Sequence, residues 1–156
     1  MLHMQHNADP AAIELIACAA GTLRRASRSL TRLYDAHLTR AGLTTTQFSI
    51  LRTLQRRGGR MPLARLADDL VFERTSFYRA LRPLRRAGLV SVRTGADRRA
   101  REVALTAKAR PRIARAMPHW VAAQRSVLHR FGPASWPQFA ERLADLTAIA
   151  RAAHAE

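Results

Sequence analysis

Apolar residues recur along this chain at spacings of three and four, switch for a short stretch to strict alternation, and then return to three and four. The first stripe is Ile13, Ile16, Ala20, Leu23, Ser27, Leu30, Tyr34 and His37, widened by Leu33 and Leu38. It predicts a long helix over residues 11–40, after a polar lead-in over residues 1–10. Gly42 is placed to end it. Thr44-Thr45-Thr46-Gln47 reads as a capping box, opening a second helix whose stripe is Phe48, Leu51 and Leu54 and which Gly58-Gly59 stops. A short third helix over 63–70 follows Pro62, with Leu63, Leu66, Ala67 and Leu70 inward.

Only Val71 and Phe72 separate that helix from a fourth, over 73–87. Its buried stripe is Phe77, Ala80, Leu81, Leu84 and Ala87, while Thr75, Tyr78, Arg79, Arg82 and Arg86 gather on the other face. Two short helices joined by so tight a turn, the second one basic, make a helix-turn-helix signature. Pro83 cannot donate to the carbonyl of Arg79, which predicts a bend or an early end to the helix there. Past Gly88 the period becomes two. Val90 and Val92 alternate with polar residues over 89–94, and Val103 and Leu105 do so over 101–105. Between them lies the polar turn Gly95-Ala96-Asp97-Arg98-Arg99. A β-hairpin with a basic tip is the result. After a helix-turn-helix it reads as a wing, whose tip arginine suits the narrow minor groove.

Thr106 is placed to cap a fifth helix running to about Phe131, bent near Pro118 and tightened at Pro111. A sixth, after Gly132-Pro133, carries Trp136, Phe139, Leu143, Leu146 and Ala150. A small winged core cannot cover all this apolar surface, which predicts an intertwined homodimer. The fold class is therefore mainly α with a small β-hairpin wing. The single chain 1–156 divides into a winged helix-turn-helix region over 43–105 and dimerisation helices over 11–41 and 106–152.

Charge then selects the partner. The chain carries 27 basic and 11 acidic residues, a net of +16, and Lys108 is its one lysine. A GC-rich genome explains Arg in place of Lys but not the shortage of acids. The excess is concentrated at 40–101, with 15 basic against 4 acidic residues. Such a surface draws polyanions and favours double-stranded DNA over a membrane, since no basic segment has a broad apolar face. No apolar run approaches the roughly 20 residues of a membrane span, and no signal-peptide pattern opens the chain. A cytoplasmic protein is expected. The single cysteine, Cys18, excludes an intramolecular disulfide framework. The six histidines form no ligand spacing, and no nucleophile elbow, P-loop or dinucleotide motif is present. Neither catalysis, metal nor cofactor is expected.

Together these residues resemble the MarR-type winged-helix transcriptional regulators. The carriers are Leu-Arg-Arg-Ala-Ser-Arg-Ser-Leu-Thr-Arg-Leu-Tyr-Asp (23–35), Gly-Leu-Thr-Thr-Thr-Gln-Phe-Ser-Ile-Leu (42–51) and Glu-Arg-Thr-Ser-Phe-Tyr-Arg-Ala-Leu-Arg-Pro-Leu (73–84). Ala-Gly-Leu-Val (87–90), Asp-Arg-Arg-Ala (97–100) and Val-Ala-Leu-Thr (103–106) complete the set. The resemblance implies a homodimer on a pseudo-palindromic operator, commonly a repressor released by a small phenolic or anionic effector, or by an oxidant. Thr75, Ser76, Tyr78, Arg79 and Arg82 are the expected major-groove contacts, the arginines on guanine edges or on phosphate. Arg98 or Arg99 would serve the minor groove, the family's Asp-x-Arg pattern favouring Arg99, with Asp97 orienting a neighbouring arginine. Tyr34, His37, Trp120 and Phe131 are candidates for an effector pocket, though core packing explains them equally well. Cys18 is the candidate for an oxidant-sensing alternative, against the commoner reading of a buried thiol. A constitutive architectural DNA-binding protein without a sensor is the other alternative. Two departures bear on the turn: Glu73 stands where similar sequences often have Asp, and Val71-Phe72 is bulky.

Overall fold

The computed structural model describes residues 18–95 and 101–153. Among the described residues are six α-helices and a small three-stranded antiparallel sheet: α1 (Ala19–Leu38), a 3-10 turn (Thr39–Ala41), α2 (Thr45–Arg56), β1 (Arg60–Pro62), α3 (Leu63–Asp69), α4 (Arg74–Arg86), β2 (Val90–Thr94), β3 (Arg101–Leu105), α5 (Ala109–Phe131) and α6 (Trp136–Ala152). The lead-in and the helix start expected over 1–17 lie outside the described residues. The chain divides after Leu33 into two units. The first holds the opening turns of α1, where Leu23 is half-buried while Ala20, Ser27 and Leu30 are exposed. The second holds everything from Tyr34 onward.

In the second unit the local signals act as the sequence dictates. Gly42 sits at φ 67° and closes the 3-10 turn. Thr44 caps α2 through a reciprocal box, its Oγ1 accepting from the Gln47 N–H at 3.3 Å while Gln47 Oε1 accepts from the Thr44 N–H at 3.0 Å. Asp35 adds a brace that the sequence did not announce: its Oδ1 accepts from both the backbone N–H and the hydroxyl of Thr45, at 2.6 and 2.7 Å. The core gathers Leu38, Ile50, Leu51, Leu54, Leu66, Phe77, Leu81, Leu84, Val103 and Ile113, each under 2% exposed. No helix among the described residues is long and apolar enough to cross a membrane.

Four expectations need correction. A third strand, β1, pairs with β3 in the order β1-β3-β2, with Met61 opposite Val103. Three residues ending in proline carry no alternation to read; β3 supplies the partner that makes them a strand. Thr106 does not cap α5, since its hydroxyl donates to the Gly88 carbonyl at 2.6 Å and the helix starts at Ala109 behind Lys108. Of the bend or early end expected at Pro83, the early end does not occur, since helix α4 runs to Arg86. Arg79 and Pro83 are both exposed, so water can serve the carbonyl that proline leaves unpaired. Ala87, expected inside, is exposed because it is the C-cap where the chain leaves the helix. Helix α5 likewise continues through Pro118, and Pro111 falls in its first turn, where no intrahelical donor is required.

The three helices of the DNA-binding half end in the same way, in a paired 6→1 and 5→2 closure. After α2 the N–H of Gly59 donates to Leu54 O at 2.7 Å, after α3 that of Phe72 to Ala67 O at 2.9 Å, and after α4 that of Leu89 to Leu84 O at 2.9 Å. This closure needs a left-handed residue one position earlier. Gly58 and Gly88 fill it at φ 84° and 68°, whereas after α3 the residue is Val71 at φ 55°. A β-branched side chain is strained there, and Val71 is 61% exposed, so it recovers no burial in exchange. Val71→Gly is expected to relieve about 1–2 kcal/mol of strain against about 0.5–1 kcal/mol of added chain entropy. The net result is a melting temperature a few degrees higher. A lower value would show that the turn is unstrained.

Candidate nucleic-acid interface

Helix α4 presents the candidate site because its apolar residues all have somewhere to go. Phe77, Leu81 and Leu84 are buried and Ala80 is half-buried, while Phe72 from the preceding turn packs its ring 5.7 Å from that of Phe77. That anchoring turns Thr75, Ser76, Tyr78, Arg79 and Arg82 outward, and all five are exposed. Arg85 and Arg86 are exposed too, on the last turn. None of these arginines forms an ion pair among the described residues. Their donors are therefore free for an external anion or base edge.

The start of α4 is held by Glu73. Its carboxylate accepts from the backbone N–H of Thr75 and of Ser76, each at 3.1 Å, so the longer side chain performs the capping that Asp performs elsewhere. The Thr75 N–H, followed by that of Ser76, holds the Glu73 carboxyl below its ordinary value of 4.5. A folded-state value below the unfolded one stabilises the fold at pH above 4.5, and that contribution disappears as pH falls through the depressed value. Glu73→Gln is expected to flatten this acid-side part of the stability profile while leaving the neutral-pH helix in place. An unchanged acid limb would remove Glu73 from the cap.

The stem of the wing is equally defined: β2 and β3 pair from Val90 opposite Leu105 to Thr94 opposite Arg101. Val103 is fully buried and Val92 half-buried, so the hairpin is fastened by its inner face, and Arg93 and Arg101 are exposed on the way to the tip. Asp97, Arg98 and Arg99 lie outside the described residues.

Within one chain the four effector-pocket candidates are not all brought together. Tyr34 and Trp120 pack on the same core, with Trp120 stacked at 6.2 Å on Phe48 and the Tyr34 hydroxyl donating to Gln124. Burial pushes the Tyr34 hydroxyl above its ordinary value. His37 is half-buried. Phe131 is 44% exposed and belongs to a separate aromatic cluster, with rings 4.9 Å from Phe139 and 5.8 Å from Trp136. It lies eleven residues beyond Trp120 on one helix, about 16 Å along its axis. Cys18 is exposed rather than buried and stands just before α1, with the Gly21 N–H 3.5 Å from its sulfur. What the sequence reading missed is a basic cluster on α5, Lys108, Arg112 and Arg115. Its signal was an acid-free run over residues 106–115.

A helix-turn-helix followed by a fastened hairpin, with unpaired arginines along the second helix, defines a winged helix DNA-binding protein. The family description "Winged helix DNA-binding domain" matches residues 43–109. The chain resembles the transcriptional regulator MosR of M. tuberculosis in complex with DNA. The two share 39% identity and a TM-score of 0.79, covering 87% of this chain and 98% of MosR. AbsC, a MarR family transcriptional regulator from Streptomyces coelicolor, is 25% identical with a TM-score of 0.74, covering 86% of this chain and 93% of its own. No curated protein sequence matches significantly. The chain belongs to the MarR family of winged helix-turn-helix regulators and is a DNA-binding transcriptional regulator, not an enzyme.

Proposed function

We propose that the chain acts in the cytoplasm as a homodimeric repressor that holds a pseudo-palindromic operator and releases it when a small aromatic or anionic effector binds. The observation that carries this reading is the front of α4, where Thr75, Ser76, Tyr78, Arg79 and Arg82 stand exposed over a buried back and neither arginine has an ion-pair partner among the described residues. Residues 43–105 form the reading head. Thr75–Arg82 meet the major groove, and Arg98 or Arg99, oriented by Asp97, the minor groove. Residues 11–41 and 106–152 join two copies. Exposed Phe131, Phe139, Leu146 and Ile149 favour that role for α5 and α6, because a monomer gains nothing from keeping them in water. The likeness to MosR, whose structure includes DNA, supports the partner. An effector that alters the spacing of two recognition helices keeps both from entering successive grooves.

The test is a gel shift on the DNA upstream of the chain's own gene, with random DNA as competitor, beside sedimentation of the free protein. Expected are a dimer at micromolar concentration and a complex that random DNA does not displace at equal mass. Equal affinity for random DNA, or a monomer, would overturn the reading. Tight selective binding that no effector relieves would leave a constitutive DNA-binding protein. The exposure of Cys18 favours one alternative, an oxidant-released repressor. Release by an organic hydroperoxide that Cys18→Ser abolishes would establish it, and release that persists in Cys18→Ser would eliminate it.

A further inference from the structure

We infer that the concavity where the ends of α2, α3 and α6 meet is a binding site for a phosphate group. The concavity is about 520 Å³ and is lined by Thr53, Arg56 and Arg57 from the end of α2, Asp69 from the end of α3 and Arg151 from the last turn of α6. Three guanidiniums and a hydroxyl stand there against one carboxylate, and no aromatic ring lines the space. A compact anion with several oxygens suits such a lining better than a flat apolar body does. The one carboxylate is already spent. Asp69 lies 2.9 Å from Arg57 Nη2 and 3.1 Å from Arg65 Nε, with its side chain 15% exposed. Its Oδ2 is sealed from solvent and accepts no hydrogen bond among the described residues, so Arg57 meets it by charge and keeps its N–H donors for another acceptor. Arg151 is positioned by a bond from its Nη2 to the Asp68 carbonyl. Arg56 is exposed and has no ion-pair partner among the described residues.

The concavity also stands close to the start of the recognition helix. Asp69 precedes the Glu73 cap by four residues, a span of at most about 14 Å. A helix in the major groove, about 12 Å wide, has a sugar–phosphate backbone along either edge. A backbone phosphate is therefore one source of the group. A small phosphorylated metabolite is the other, since the chemistry recognised is the same. Either source gives α6 a part in binding. Arg151 brings the last turn of that helix to the end of α3, so a phosphate held by Arg56, Arg57 and Arg151 ties α6 to the helix-turn-helix. Binding of free phosphate does not depend on the proposed repressor, whereas the backbone source rests on DNA binding alone.

The probe is inorganic phosphate, titrated calorimetrically into the full-length protein at constant ionic strength, beside salt titrations of DNA binding. The test variant is Arg56→Gln/Arg151→Gln, which leaves the Arg57–Asp69 pair in place. Arg125→Gln/Arg130→Gln, at two exposed positions of α5, removes the same charge elsewhere. Expected are one phosphate per chain for the parent, at least tenfold weaker binding by the test variant, and parent-like binding by the control. Expected too, in the test variant alone, is a log K against log salt slope shallower by about one per bound chain, the release from one neutralised phosphate. Lost phosphate binding with an unchanged slope assigns the site to a small phosphorylated ligand. A shallower slope without binding of free phosphate assigns it to the DNA backbone. Parent-like phosphate binding and slope in the test variant would overturn the site, as would absence of both effects or equal losses in the control. Should the double variant lose its fold, Arg56→Gln alone decides by the same two readouts, because its side chain has no ion pair to lose among the described residues. Both unchanged would overturn the site.

Discussion

Phe77→Ala is expected to cost about 3–5 kcal/mol of folding free energy, the usual result of emptying a fully buried aromatic site. Phe77 is 0% exposed, packs against Phe72, and is the residue by which α4 is seated on the core. For a domain whose whole stability is on the order of 5–15 kcal/mol, such a loss leaves a large unfolded fraction near physiological temperature. The measurement is urea unfolding, where the midpoint should drop while the slope stays near the parent value. DNA binding should disappear as the variant melts and persist in the cold, because no DNA-facing group has been removed. Tyr78, its neighbour, is the control: at 44% exposed, Tyr78→Ala should shift stability far less. If Phe77→Ala costs under about 1 kcal/mol, the helix is not seated by this ring.

Arg82→Ala should show the opposite pattern. Arg82 is exposed and has no ion-pair partner among the described residues, so its removal should change folding stability by no more than about 0.5 kcal/mol. Operator affinity should fall roughly 10- to 100-fold, the effect of about 1–3 kcal/mol for one well-formed base contact. Salt titration then separates the two contacts an arginine can make. A base contact lowers affinity for the operator alone and leaves the salt slope unchanged. A phosphate contact lowers affinity for every sequence and makes the slope shallower by about one. Operator affinity equal to that of the parent would remove Arg82 from the interface. Together with Phe77→Ala, this variant divides α4 into a face that folds the protein and a face that uses it.

Most of the fold was legible because its elements are declared locally. The Thr44–Gln47 box, the glycines at 42, 58 and 88, and the change from a period of three and four to a period of two each depend on residues a few positions apart. The front of α4 was legible for the same reason: once Phe77, Leu81 and Leu84 are assigned to the core, helical geometry places Thr75, Tyr78, Arg79 and Arg82 opposite them. What the sequence could not declare depends on partners distant in the chain. Strand β1 exists because Val103 lies opposite Met61, forty-two positions away. Thr106 gives up capping because the Gly88 carbonyl comes within 2.6 Å. Val71 is held in a left-handed conformation that its own side chain disfavours, because the turn between α3 and α4 must close there. Tyr34, His37, Trp120 and Phe131 do not all meet within one chain for a related reason, since sharing a helix with Trp120 does not bring Phe131 near it. The cationic concavity on α5 emerges only when the exit of α4 folds back beside Lys108, Arg112 and Arg115. The sequence by itself thus determined which helix faces outward and with what chemistry, because helical periodicity is a local property. Only the tertiary structure decided what stands behind that helix, because long-range contacts set which distant residues meet.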